Sequence, residues 1–337
     1  MPNTDFDEFK FNRAWLEGPR APGISAYMRV KDEQQLVRAA VMSHLEHYDE
    51  IIACYNDCVD DTPRILHELA AAYPRKIKVF HYRPKVHPPR SAEHARMADD
   101  SVHGLANYYN WALAKTTRQV AVKLDADHLG IAHKLSALTA RIRRDLAAGR
   151  RKLYVSSGIN LLRQSADAGG ALGVRVNFLL AGSGDFVYHP VDARAVYRNA
   201  PKWETFDSLY RLPLEVEYTG VTFFHLRALK LSHHHRPPVP PPDNAPDLNA
   251  IIAYDDFCDA HYQHQLRHRL AAQLNWRGRL RYRLAANAAL RKLKHRLTGR
   301  PASLLYEQLT RLQHDLADID FNRDVLAPLA RWEGEAA

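Results

Sequence analysis

At 337 residues, with 46% hydrophobic and 25% charged residues, the chain has the composition of an ordinary globular protein, not of a disordered or fibrous one. Its formal net charge of +9 is local, because residues 277–300 hold nine Lys or Arg and no acid, leaving the remainder near neutral. No apolar run approaches the roughly 18–20 residues of a bilayer crossing, and Cys54, Cys58 and Cys258 are too few for a disulfide framework, so buried thiols in a reducing, cytoplasmic setting are expected.

Residues 1–23 are polar and aperiodic and carry Asp5, Asp7, Glu8, Lys10 and Arg13, an N-terminal extension in character and not a secretory leader. A first strand is predicted over 24–29, followed by a helix with Leu36, Ala40, Val41 and Leu45 on one face. A second strand over 49–55 ends in the polar turn 56–63, where Thr62 can cap the next helix and Pro63 can take its first position. That helix (Ile65, Leu66, Leu69, Ala72) leads to a third strand over 77–82. Strands and helices alternating at this length predict a mostly parallel sheet with right-handed crossovers.

Residues 83–103 form a long connection rich in Pro, His and Arg, either a lid or acceptor loop or a surface insertion. A helix over 105–115, a strand over 120–124, a basic helix over 135–146 and a strand over 153–155 follow. Residues 158–180 suggest a hairpin around Gly169 and Gly170. Gly182 and Gly184 permit either a close backbone approach to a ligand or a plain turn before a strand at 186–188. Trp203 to Asp207 precedes a helix-like step, and a strand over 220–224 ends in His225. His233, His234 and His235 fit solvated loop residues better than a metal site, and 236–250 form a Pro-rich linker or flap. From 251 to 337 the pattern is helical, and within 277–300 leucines interleave with basic residues. An anionic membrane surface suits this segment best, a solvated helix face nearly as well, and nucleic acid least, because no nucleic-acid motif accompanies it.

The chemistry concentrates at one strand end. Val120 to Leu124 is a short apolar run that stops at Asp125-Ala126-Asp127-His128. In open α/β sheets ligands bind beyond the carboxyl ends of the strands. Two acids there are costly unless a positive charge compensates them. A divalent cation carrying a phosphorylated ligand would do so; an acidic, solvated turn is the competing reading.

Residues 24–128 resemble the nucleotide-binding half of the GT-A glycosyltransferases, in particular the family-2 group. The resemblance is carried by the strand and helix from Ser25 to Glu33, by the acidic turn 56–62, by Asn110-Trp111-Ala112-Leu113 and by Asp125-Ala126-Asp127 as an Asp-x-Asp motif. It continues more loosely through Gly182 and Gly184, Glu204 after Trp203, and His225, covering about 24–230. It implies a GT-A-like α/β domain over 24–235, with a nucleotide-sugar half at 24–130 and an acceptor half at 131–235. It also implies a metal-dependent transferase using a nucleoside-diphosphate sugar, with uridine favoured. Tyr27, Arg29, Tyr55, Asn56, Asp60, Asn110, Lys123, Asp125, Gly182 and Gly184 would contact the donor. Asp125, Asp127 and His225 would hold Mn²⁺ or Mg²⁺. Glu204, with Asp207 as second choice, would be the general base of an inverting transfer. A glycan or lipid-linked acceptor, surface-polysaccharide or lipopolysaccharide assembly and a peripheral place at the inner membrane face through 277–300 complete the expectation. Three positions depart from the family pattern: Tyr55 stands where an Asp is usual, Tyr109 where an Arg often precedes the helix Asn, and Thr205 where a second acid follows the first.

Three other readings compete. An Asp-x-Asp phosphatase would want Thr or Val where Leu129 stands and its motif on an early strand. A nucleotidyltransferase would want a Gly-rich loop after the first strand, and Arg29-Val30-Lys31-Asp32 has none. A catalytically inactive, membrane-docking adaptor is opposed by the intact Asp-x-Asp, Glu and His.

Overall fold

The computed structural model describes residues 4–163, 172–175, 187–226 and 251–252, and most of 311–334, with single residues between. Gly182, Gly184, His233 to His235, the linker 236–250 and nearly all of 277–300 lie outside the described residues.

In chain order the first strands are β1 (Ala21–Val30), β2 (Glu50–Tyr55), β3 (Ile77–His81), β4 (Arg118–Lys123), β5 (His128–Gly130) and β6 (Lys152–Arg163). They are followed by β7 (Leu172–Arg175), β8 (Val187–Pro190), β9 (Arg198–Asn199), β10 (Glu204–Thr205), β11 (Glu215–His225) and β12 (Ile251–Ile252). The helices are α1 (Val37–His44), α2 (Thr62–Ala72), α3 (Leu105–Ala114), α4 (Ala132–Ala147) and α5 (Ala327–Gly334). The expected parallel set is present in the order β3-β2-β1-β4. The sheet continues through β8, antiparallel to β4, into β6 and β7. β11 runs parallel to β6 and antiparallel to β5, while β9 and β10 form a separate hairpin. This is a large α/β sheet, most of whose paired residues lie in parallel ladders.

Both faces of β1, β2 and the inner part of β4 are covered, which is why they carry apolar runs, whereas β3 at the edge is only half-buried. Tyr27, Ile52, Cys54 and Ala121 point to the face packed by α3, with Tyr82, Tyr108 and Tyr109. Met28, Ile51, Ala53 and Val122 point to the face packed by α1, α2 and α4. A third cluster joins Leu129, Val221 and Phe224 to Leu316, Ile319, Val325 and Leu329, so the C-terminal segment packs directly on the sheet edge. At the opposite end of the sheet the buried Glu50 carboxylate accepts from Ser25 Oγ at 2.6 Å, Lys78 Nζ at 2.9 Å and the Thr117 N–H. One carboxylate thus ties β1, β2, β3 and the start of β4 together.

Several elements depart from the sequence-based expectation. β11 starts at Glu215, not 220, because it pairs along β6 from Lys152 onward. The polar residues Ser156, Ser157 and Asn160 conceal the true length of β6. Thr62 does not cap α2: it is the first helical residue, Asp61 precedes it, and its Oγ1 accepts the Glu33 N–H at 2.7 Å. The acidic turn therefore laces two loops, with Val59 N–H on Asp32 at 2.7 Å and Gln34 N–H on Asp60 at 3.0 Å.

His44 and His189 are buried, and burial pushes their imidazoles down to about 3 and about 4. Both are neutral in the folded protein at neutral pH, whereas the unfolded chain takes up protons near pH 6.5. Stability therefore falls as pH drops from about 6.5 toward 4, by up to ~1.4 kcal/mol per pH unit for each histidine. Urea midpoints measured between about pH 7 and pH 4.5 check this, and a flat profile contradicts it.

Candidate active site at the carboxyl ends of the strands

β4 ends at Lys123, and the chain turns at once. Leu124 N–H bonds to the Tyr27 carbonyl at 3.0 Å and His128 N–H to the Asp125 carbonyl at 3.2 Å, so both carboxylates sit on a tight turn between β4 and β5. Asp127 is 4% exposed, and its carbonyl accepts the Leu226 N–H at 2.7 Å. This bond brings in His225, whose Nε2 lies 3.4 Å from Asp127 Oδ2. The other ring nitrogen, Nδ1, is 2.7 Å from Asn160 Oδ1. An amide oxygen only accepts, so Nδ1 donates to Asn160 and Nε2 is the ring atom turned toward Asp127. A carboxylate oxygen and an imidazole nitrogen this close are placed to share a divalent cation.

His128, paired across the ladder with His225, adds a third donor, and ligand atoms of Asp127, His128 and His225 all lie within 4.8 Å of one another. One carboxylate oxygen and imidazole nitrogens fit a borderline divalent ion such as Mn²⁺. Burial pushes His128 down to about 4 despite the opposing pull of Asp125 and Asp127, so this imidazole is neutral at neutral pH. Asp125 faces another way, with Oδ2 3.3 Å from Lys123 Nζ and 3.8 Å from His128 Nε2. Burial alone would raise its carboxyl, but Lys123 and then His128 hold it below the usual range.

A second group of charges adjoins this one. The Tyr109 ring carries Lys123 Nζ at 4.9 Å from its centroid and the Arg29 guanidinium at 5.1 Å. Burial would lower Arg29, but the neighbouring Tyr109 and Glu204 raise it above its ordinary value. Burial pushes the Tyr109 hydroxyl up to about 12. Arg29 Nε is buried and has no hydrogen-bond partner among the described residues. Glu204 reaches this group because its hairpin is clipped to α3: Asn110 Nδ2 donates to the Tyr197 carbonyl at 2.9 Å, and Asn110 Oδ1 accepts the Tyr197 N–H at 2.8 Å.

The remaining expected donor contacts fall elsewhere. Tyr27 is fully buried, with its hydroxyl 2.7 Å from that of Tyr197. The Asn56 amide donates to the Tyr82 and Pro84 carbonyls, each at 2.7 Å, and Asn110 is committed to Tyr197 as described. These side chains are held by protein partners, as buried polar groups are. Tyr55 stacks on His81 at 4.6 Å, and Asp60 is taken up in the loop lacing. Asp207 is exposed at the start of a short turn, its N–H on Thr205 Oγ1 at 3.3 Å. Sequence reasoning missed Asn160, which carries no signal beyond its register opposite His225. It also passed over His128, although a ligand-type residue directly after Asp-x-Asp was visible.

Residues 9–146 match the model of a family described as Beta-1,4-N-acetylgalactosaminyltransferase (CgtA), under half of the chain. Among solved structures, S. aureus TarS 1-349 in complex with UDP is 10% identical, covers 82% of this chain and 75% of its own, and has a TM-score of 0.41. Glucosyl-3-phosphoglycerate synthase from Mycobacterium tuberculosis, in complex with Mn²⁺, UDP-glucose and phosphoglyceric acid, is 16% identical, with 70% and 78% coverage and a TM-score of 0.36. No curated protein matches the chain. The matched segment makes the chain similar to one class of enzymes, the glycosyltransferases. Within that class, the chain is similar over its first part to the N-acetylgalactosaminyltransferase family named above.

Because Asn110 is 3% exposed and occupied on both sides, Asn110→Ala strands the Tyr197 N–H. The expected loss is about 1–3 kcal/mol of stability by urea unfolding. A fully stable variant would return Asn110 to the donor site.

Proposed function

We propose that the protein transfers a sugar from a nucleoside diphosphate, UDP first, to a glycan or lipid-linked acceptor with inversion at the anomeric carbon. The observation that carries this reading is the Asp127–His225 pair, with its imidazole oriented by Asn160 and its Nε2 turned to the carboxylate. Asp127 and His225 would hold a divalent cation, with His128 or Asp125 beside them. When bound, the cation supplies Lewis-acid stabilisation of the departing diphosphate. Arg29, buried on Tyr109 with an unpartnered Nε, offers a guanidinium suited to a phosphate oxygen. Lys123 stays with Asp125 and keeps that carboxylate ionised.

Glu204 is the proposed general base, taking the proton of the acceptor hydroxyl as it attacks. It lies within electrostatic reach of Arg29 and Tyr109, which favours it over the exposed Asp207. The matched family's name makes N-acetylgalactosamine the first sugar to test, and a β product from an α-linked donor requires inversion. The basic segment 277–300 supports docking on an anionic membrane at the cytoplasmic face, in surface-polysaccharide or lipopolysaccharide assembly. Leu290 and Leu293, its described leucines, are exposed. Among the described residues no helix is long and apolar enough to cross a membrane.

Calorimetric titration with UDP should show binding that requires Mn²⁺. Asp127→Ala should weaken it by more than ~100-fold and Asn160→Ala by ~10–100-fold, the range for a group that orients a ligand. Metal-independent binding in all three proteins would refute the assignment. Glu204→Gln should leave UDP binding unchanged and lower turnover by about 10²–10⁴; near-normal transfer would remove Glu204 as the base.

A further inference from the structure

Apart from the short turn His94–Arg96, residues 83–104 have no regular structure, yet they are stitched to the β9–β10 hairpin. His94 is 1% exposed, with Nε2 3.0 Å from the Ala200 carbonyl. Asn199 donates from Nδ2 to the Ala98 carbonyl at 2.8 Å and from its N–H to Asp99 Oδ1 at 2.7 Å. Its Oδ1 accepts the Ala106 N–H at 3.1 Å. Gly104 makes room for this seam: a Cβ there would stand 2.8 Å from Asn199 Nδ2.

On this seam the Arg90 guanidinium lies over the Trp203 ring, 4.0 Å from its centroid. Trp203 is 44% exposed, the most exposed tryptophan among the described residues, and immediately precedes Glu204. Arg90 holds a backbone φ of +68°, a left-handed conformation that costs an ordinary side chain energy. Its guanidinium meets no carboxylate among the described residues, nor do the exposed Arg198 and Lys202 of the same hairpin. A guanidinium held over an aromatic ring is not neutralised by it and can still pair with an anion. The exposed indole offers the apolar surface on which the C–H face of a pyranose packs.

We propose that Trp203 and Arg90 form the acceptor subsite and that it takes an anionic saccharide, a pyranose bearing a carboxylate or phosphate. The indole stacks on the sugar ring and Arg90 pairs with the anion, with Arg198 and Lys202 adding positive potential. The subsite delivers the acceptor hydroxyl to Glu204, so its role in transfer rests on the glycosyltransferase reading above.

Tryptophan fluorescence and saturation-transfer NMR on the full chain test this with three probes: a neutral glucose disaccharide, its glucuronic-acid counterpart and its 6-phosphate. The acidic probes should bind roughly tenfold more tightly than the neutral one, and the difference between them identifies the preferred anion. Arg90→Gln should erase that advantage, and Trp203→Ala should lose all three probes, both variants keeping wild-type UDP binding as proof of folding. Equal binding of neutral and acidic probes, or unchanged binding in Trp203→Ala, overturns the subsite. If the acidic probes bind as expected and UDP does not, the subsite stands and the donor assignment fails.

Discussion

The hydrogen bond from the Leu226 N–H to the Asp127 carbonyl joins the two halves of the sheet where its charge is concentrated. β11 is parallel to β6 on one side and antiparallel to β5 on the other, so it reaches the Asp-x-Asp turn from the far half of the chain. Without that return, His225 would not reach the Asp127 carboxylate. With it, His225, His128 and Asn160 converge through ladder register alone, and each side chain is held by backbone geometry. A preorganised donor set of this kind is what a metal site requires, because ligands that must be gathered at binding cost affinity.

Next to this centre is a tyrosine-rich layer beneath two cations. Tyr109 carries Lys123 and Arg29, while Tyr197 stacks on Tyr109 at 4.9 Å and on Phe206 at 4.2 Å. Aromatic faces stabilise buried cations without neutralising them. Lys123 is matched by Asp125, whereas Arg29 reaches Glu204 only at longer range. The layer thus keeps positive charge near the cleft in a low-dielectric setting, where it acts strongly on any phosphate that enters. It also couples the β9–β10 hairpin to α3, so the position of Glu204 depends on packing far from its own side chain.

Much of the first half was legible in the sequence. β1, β2 and the inner part of β4 are apolar on both faces, their helices carry one apolar stripe each, and the carboxylates fall where a strand must end. The parallel pairing of β1 to β4 followed from the alternation of strands and helices, whereas their order is read from the tertiary structure. The side chains at the ends were harder. Asn56 and Asn110 sit where donor contacts were expected, yet a buried amide satisfies whichever backbone groups the fold brings to it, here Tyr82, Pro84 and Tyr197. Thr62 looked like a helix cap because its type and its neighbour Pro63 fit that role, but the loop after β1 supplied a donor that local sequence does not reveal. The glycines at 182 and 184 and nearly all of the basic segment lie outside the described residues.

By itself the sequence determined the alternating α/β layout, the concentration of charge in 277–300 and the presence of Asp125 and Asp127 at the end of a buried strand. These follow from periodicity and composition, which act over a few residues at a time. Only the tertiary structure decided which carboxylate faces His225, that Asn160 orients this imidazole, and that the loop 83–104 carries Arg90 onto Trp203 beside Glu204. Those contacts join residues tens to more than a hundred positions apart. Their geometry depends on strand register and hairpin packing, which no local pattern encodes.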